Sequence, residues 1–161
     1  MGNESQKNYF YERNDINKIK QSYLILKEGM SNSDSKYIYL NTSLHTVFLE
    51  RYDNLFGENE LKEMIEKLKS YDKEKNTKEI TKINEMIKEA QLLEQKATDD
   101  FDFYNRLIKN IKNKYDDWII TKEAYIKICE DVVDTVINNL IKYEKELIIL
   151  RDKIRQFNNL F

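Results

Sequence analysis

The chain has 161 residues, a net charge of −2, 40% hydrophobic and 35% charged residues, no proline and three glycines. A chain of this length most often forms one domain that buries enough apolar surface to fold without disulfides or metals. Lysine and glutamate interleave without a basic stripe, which argues against nucleic-acid binding, and the scarcity of turn-forming residues argues against an all-β fold.

The N-terminal region divides into a polar segment and a first helix. Residues 1–13 are predicted to form a flexible N-terminal arm, so that a single helical domain covers 14–161. The first predicted helix runs over 15–28, and Gly29 can end it with a left-handed conformation.

A second helix is predicted over 36–56, with serines and acids at 31–35 as its cap and Gly57 at its end. Arg51 falls on the apolar stripe of this helix. A cation there either extends its charged end to solvent or is the counter-charge of an acidic ligand. The sole histidine, His45, is either a packed side chain, a haem or metal ligand, or a pH-sensitive group at a pocket wall.

Two further helices are predicted before the middle of the chain. A short third helix covers 60–71, and a charged loop follows at 72–76. Thr77 can cap a fourth helix. Asp99 and Asp100 are expected to end that helix and to cap the fifth.

The stretch 101–133 predicts two helices that meet at a short corner, around which the rest of the chain is organised. Apolar residues recur at steps of three and four on Phe101, Tyr104, Leu107, Ile108, Ile111, Tyr115 and Trp118 before the corner, and on Tyr125, Ile128, Val132 and Val136 after it. Thr121 can cap the second helix, with Glu123 in its first turn. The two stripes must face a common interior, which is either solid core or a ligand chamber.

The helical pattern continues to the end of the sequence. One helix of about 40 residues would span about 60 Å, so a break is predicted at 138–139, where two asparagines lower the helix propensity. The total is six to eight helices and no strand. Segment 147–151, LIILR, is apolar on more than one face, which favours a homodimer through the last two helices.

Residues for metal, nucleotide or acid–base chemistry are not grouped in this sequence. There is one histidine, one cysteine, and no Cys or His pair at metal spacing, so we expect neither enzyme activity nor a metal. Cys129 is expected to be a small buried hydrophobe. The lone cysteine, the lack of a signal peptide and the lack of an apolar run of about 20 residues favour a cytoplasmic protein without a membrane span.

The central stretch resembles the proximal region of globins. There, an apolar residue precedes the proximal histidine by four positions, and an apolar corner, an aromatic residue and paired aliphatic residues follow. The matching positions are Ile111, Tyr115, 119–120, Tyr125, Ile128 and 132–133, with Tyr115 in place of the histidine. Tyrosine can bind haem iron. The chain is more similar to the haem-less globin-like sensor domains of stressosome regulators and sporulation histidine kinases, including stand-alone plasmid-encoded versions.

That resemblance implies an all-α, globin-like dimer without haem. It also implies a fatty acid in the former haem space, a halide ion nearby, and a role in restraining sporulation by sequestering the signal from a sensor histidine kinase. The residues that would wall the chamber are Leu44, His45, Phe48, Phe101, Tyr104, Leu107, Ile108, Ile111, Tyr115, Trp118, Tyr125, Ile128 and Val132. Candidates for binding the carboxylate head group are Tyr115, His45, Arg51 and Arg106.

A second interpretation needs no small ligand. The chain would be a helical adaptor or inhibitor that binds another protein through its C-terminal helices, and the aromatic residues of the central stretch would be ordinary core. A co-purified lipid would favour the sensor, whereas an empty chain that captures a protein partner would favour the adaptor.

Overall fold

A computed structural model describes the backbone of residues 2–70 and 73–158, and the side chains of 16–57, 77–157 and parts of 61–70. Every regular element in these ranges is a helix. The elements are α1 (Gly2–Gly29), α2 (Lys36–Leu55), α3 (Glu58–Ser70), α4 (Lys73–Asp116) and α5 (Lys122–Asn158). The all-α class is therefore confirmed, but the predicted count of six to eight helices is wrong.

The count differs because two predicted breaks lie inside continuous helices. Helix α4 passes through 99–100 and α5 passes through 138–139. The Asp99 carboxylate accepts a hydrogen bond from Gln95 Nε2 at 2.9 Å, and Asp100 accepts one from the Tyr143 hydroxyl of α5. Carboxylates bonded in this way do not compete for the helix backbone, and no proline or glycine interrupts either segment.

The length of the last two helices is supported by their pairing. At 1.5 Å per residue, the 44 residues of α4 and the 37 of α5 span about 66 and about 56 Å. Tyr115 stacks on Tyr125 near the corner, while Asp100 bonds Tyr143 further along, so the two helices are antiparallel. Each buries its apolar stripe along the other, and neither needs to break to remain in contact with the core.

The remaining helices complete a bundle around this hairpin. Helix α2 packs against both α4 and α5, α1 packs against α5 and α2, and α3 contacts α4. The centre of the core consists of fully buried side chains from these helices, including Leu44, Phe48, Ile108, Val133 and Leu147. Burial of each such side chain contributes about 1.5–3 kcal/mol. None of the described helices has both the length and the apolarity needed to cross a bilayer.

The helix ends agree only in part with the sequence predictions. Thr121 caps α5 as predicted, because its Oγ1 accepts a hydrogen bond from Ala124 N at 3.1 Å. Ser35, by contrast, makes no side-chain cap for α2. Helix α1 begins at Gly2, and the flexibility expected of residues 1–13 stays a prediction. No glycine in the described ranges has a positive φ, and the one residue there that does is Trp118, at φ 62°.

Cys129 gives a direct check of the core. The residue is fully buried, as expected for a small hydrophobe, and burial raises the pKa of its thiol to about 11. Only the thiolate reacts with thiol reagents, so we expect labelling of the native chain to be at least about a hundredfold slower than labelling in denaturant. Equal rates, measured by release of a chromophore, would contradict this burial.

Candidate functional site

Most residues predicted to wall an acyl chamber pack against one another. Six of them are buried members of the core, namely Leu44, Phe48, Ile108, Ile111, Tyr125 and Val132, while Tyr104, Leu107 and Tyr115 pack against that core from its edge. The rings of Tyr115 and Tyr125 stack with centroids 4.8 Å apart. These contacts fit the reading of the aromatic stretch as solid core.

Two of the predicted wall residues lie elsewhere. Trp118 is 94% exposed and Ile128 is 39% exposed, so neither side chain belongs to the buried core that the other residues form. Trp118 occupies the corner between α4 and α5, where none of the described helices covers it. The periodicity of α4 placed it on the apolar stripe, but α4 ends at Asp116 and the backbone turns away before the indole can reach the core.

His45 and Phe101 border a small gap beneath α2. Their rings stack with centroids 4.5 Å apart, and His45 Nε2 lies 3.3 Å from Thr98 Oγ1. The gap, which Asn41 and Leu140 also line, measures about 10 Å³. That volume is about one water molecule, so an acyl chain does not fit in it. Burial lowers the pKa of His45, and the nearby Asp102 charge partly offsets this.

Arg51 is the one head-group candidate that belongs to a buried polar network. Its Nη1 donates to both carboxylate oxygens of Glu144, at 3.0 and 3.2 Å, and its Nη2 donates to Ser22 Oγ. The Tyr23 hydroxyl donates to Glu144 Oε1, and the Arg51 guanidinium lies 4.8 Å from the centre of the Tyr23 ring. Three helices therefore meet at this group, which we call the Arg51 network: Arg51, Glu144, Tyr23 and Ser22.

The electrostatics of the network follow from the burial of Glu144. Glu144 is 1% exposed, and this burial raises the pKa of its carboxyl group. The hydrogen bond from Tyr23 and the positive charge of Arg51 oppose that rise. Burial, together with the neighbouring carboxylate, also raises the pKa of Tyr23, which therefore remains a hydrogen-bond donor at neutral pH. The guanidinium side chain is 25% exposed, so it joins the buried carboxylate to the surface.

The apolar stripe of α2 pointed to Arg51, but its partner Glu144 was not predicted. Glu144 shares the apolar face of α5 with Leu140, Leu147 and Ile148, all buried. The sequence did contain a signal for this pair: Glu144 lies on the apolar stripe of α5 and Arg51 on that of α2. Charged side chains are rarely fully buried without a partner, so two such residues of opposite charge can be expected to pair. The other head-group candidates are not part of this network. Arg106 Nε donates to the Asp102 carbonyl of its own helix at 3.3 Å.

A surface cleft opens over the Arg51 network between α1, α2 and α5. Its volume is about 380 Å³, and its lining includes Lys18, Arg51 and Arg151 together with Ile19, Leu55 and Ile148. Clefts of 300 Å³ and above are large enough for small molecules. We refer to this feature as the α1–α2–α5 cleft.

The corner between α4 and α5 is a second unusual surface. Trp118 N donates to Tyr115 O at 3.1 Å, and Ile119 N donates to Lys114 O at 2.8 Å. These bonds form a Schellman motif in which the left-handed position holds Trp118. Ile119 is 69% exposed, so two large apolar side chains are adjacent in solvent. We call 117–120 the hairpin tip.

The apolar residues of segment 147–151, which favoured a homodimer, mainly contact other helices of the same chain. Leu147, Ile148 and Leu150 are buried in the bundle, and Ile149 is half-buried beside Leu92 in a groove between α4 and α5. The two-sided apolarity of segment 147–151 arises because α5 packs against several helices of its own chain. It therefore gives no support to the predicted dimer surface.

No protein-family model, curated protein or solved structure matches this chain. Within the described residues, no three His, Cys, Asp or Glu side chains are grouped closely enough to hold a metal ion. The Arg51 network, the cleft and the hairpin tip are the features of the described chain that bear on its function.

Proposed function

We propose that the protein is a helical interaction module, an adaptor or inhibitor that binds another protein through the hairpin tip, with Trp118 as the central contact. The observation that carries this proposal is the 94% exposure of Trp118 in a left-handed backbone conformation. The left-handed conformation closes the turn between α4 and α5, but a tryptophan there adds backbone strain and an exposed apolar ring, and neither of these is needed to complete the bundle.

The backbone cost can be judged against glycine. A left-handed conformation costs an L-residue about 1–2 kcal/mol, and glycine occupies this helix-end position most often because it avoids that cost. Backbone strain of this kind is concentrated at functional sites. A bulky tryptophan at this position favours a role for the indole outside the bundle.

The residues on both sides of the tip are held in place by contacts within the bundle. Thr121 caps α5 directly after it, Tyr115 and Tyr125 stack beneath it, and the Tyr125 hydroxyl donates to the Asp34 carbonyl before α2. A tryptophan side chain has only two rotatable χ angles, so it loses little conformational entropy on binding, and tryptophan is among the residues that contribute most to protein interfaces.

We expect Trp118→Gly to stabilise the chain while abolishing binding. Relief of the left-handed strain contributes about 1–2 kcal/mol, and the greater freedom of glycine in the unfolded state offsets about 0.5–1 kcal/mol of it. The free energy of unfolding, measured with urea, should therefore rise by about 0.5–1 kcal/mol. Trp118→Ala removes the indole but keeps the strain, so its stability should stay within about 0.5 kcal/mol of the parent.

Binding is tested with the same variants and one control. Ile25 is 66% exposed on α1, so Ile25→Ala removes a comparable exposed apolar side chain elsewhere. A partner should be retained by the parent chain and by Ile25→Ala, and lost with both Trp118 variants. Because Trp118 is the sole tryptophan, its emission should shift to shorter wavelength when that purified partner is added. The same shift with lipid vesicles alone would contradict a protein partner.

The sensor interpretation receives less support from the geometry. It requires an acyl-sized chamber among residues that contact one another, and the gap beside His45 measures about 10 Å³. A globin-like fold, a bound fatty acid and a role in sporulation remain predictions of the sequence resemblance. A native mass spectrum of the purified chain with a stoichiometric lipid would favour the sensor over the interaction module.

A further inference from the structure

We propose that the α1–α2–α5 cleft binds a small organic anion, with a carboxylate or phosphate group against Arg51, Arg151 and Lys18 and an apolar body against Ile19, Leu55 and Ile148. This inference is independent of the hairpin tip. It rests on the shape of the cleft, on the way Arg51 is held, and on the balance of charges around it.

Arg51 is oriented before any ligand arrives. Glu144 and Ser22 accept hydrogen bonds from its two terminal nitrogens, and the Tyr23 ring lies against its guanidinium plane. A guanidinium has five N–H donors, which is more than these contacts use. Because the side chain is already fixed, a bound anion would not have to compensate for the loss of its conformational freedom.

The charge balance of the cleft favours an anion. Among the described residues that line it, three are cations and Glu144 is the one acid. The Glu144 side chain is 2% exposed, so its charge lies beneath the guanidinium and does not face the opening. Asp152 lies next to Arg151 in the sequence, and its Oδ1 accepts hydrogen bonds from Arg151 at 3.1 Å. Even when Asp152 is counted, the positive charges are in the majority.

The apolar part of the lining distinguishes an organic anion from a simple inorganic one. Ile148 is 6% exposed, and Ile19 and Leu55 are half-buried beside it. Ligand pockets combine such apolar walls with a few charged groups that fix orientation. The cleft has both parts, with the cations of three different helices converging on one opening.

Benzoate is a suitable probe because benzamide has the same shape without the charge. Amide and arginine Nε signals of the full chain would be followed by nuclear magnetic resonance during titration at low salt, where charge interactions are least screened. Saturating shifts with benzoate, centred on the cleft, support the proposal. Equal affinity for benzamide would overturn the anionic part. An affinity for inorganic phosphate equal to that for benzoate would overturn the apolar part.

Substitutions at the exposed charged residues of the cleft locate the site without disturbing the buried ion pair of Arg51 and Glu144. Arg151→Gln and Lys18→Gln should each weaken benzoate binding about fivefold, as expected for loss of one exposed charged contact. Asp152→Asn should strengthen binding about twofold, because it releases Arg151 from its acid. The matched control is Arg106→Gln, which removes the same charge outside the cleft. Equal effects of Arg151→Gln and Arg106→Gln would show a general charge effect and overturn the proposal.

Discussion

Replacing Arg51 by methionine is expected to lower the free energy of unfolding by about 3–5 kcal/mol. The change removes the counter-charge of Glu144, whose side chain is only 2% exposed, and leaves a carboxylate that cannot turn to water. The measurement is urea denaturation at neutral pH, followed by helical circular dichroism.

A double replacement separates the lost ion pair from general damage to α2. Arg51→Met combined with Glu144→Gln keeps an acceptor for the Tyr23 hydroxyl and removes both charges. Neutral replacement of a whole buried pair is often tolerated, so we expect the double variant to recover about half or more of the loss. A double variant as unstable as the sum of the two single ones would show that the charges do not interact.

The loss caused by Arg51→Met should also depend on pH. The positive charge of Arg51 opposes the rise of the Glu144 pKa, so its removal raises that pKa further above the unfolded value. A carboxyl group with a raised folded pKa contributes stability at low pH, and that contribution is lost as the pH rises through the folded pKa. The variant should therefore lose less stability at about pH 5 than at about pH 8.

Replacing Phe48 by alanine is expected to cost about 3–5 kcal/mol. The ring is fully buried on α2 and meets Tyr143 edge to face, with centroids 6.4 Å apart. Its truncation removes apolar burial and leaves a cavity in the middle of the bundle. This result also distinguishes core from chamber, because a ring that lined an existing space would lose fewer contacts and would cost below about 2 kcal/mol.

The control for Phe48 is an exposed ring. Phe103 on α4 is 56% exposed and packs edge to face on Tyr104. Phe103→Ala should cost below about 1 kcal/mol. A comparable loss for both variants would mean that burial does not determine the effect, and would contradict the packing described for α2.

The sequence by itself determined the helical class and the inward faces. Periods of three and four placed Leu44, Phe48, Ile108 and Val132 in the interior, because a helix has a repeat of 3.6 residues and an apolar stripe must find a partner surface. The Thr121 cap was also readable, since capping is a local interaction between residues three positions apart.

Only the tertiary structure decided where helices continue and where charges meet. The carboxylate of Asp100 does not end α4, because Tyr143 on another helix donates to it. Glu144 reaches Arg51 across 93 positions, and Trp118 stands in solvent because the backbone turns at the end of α4. Each of these outcomes depends on contacts between helices that are distant in sequence, and local periodicity contains no information about such contacts.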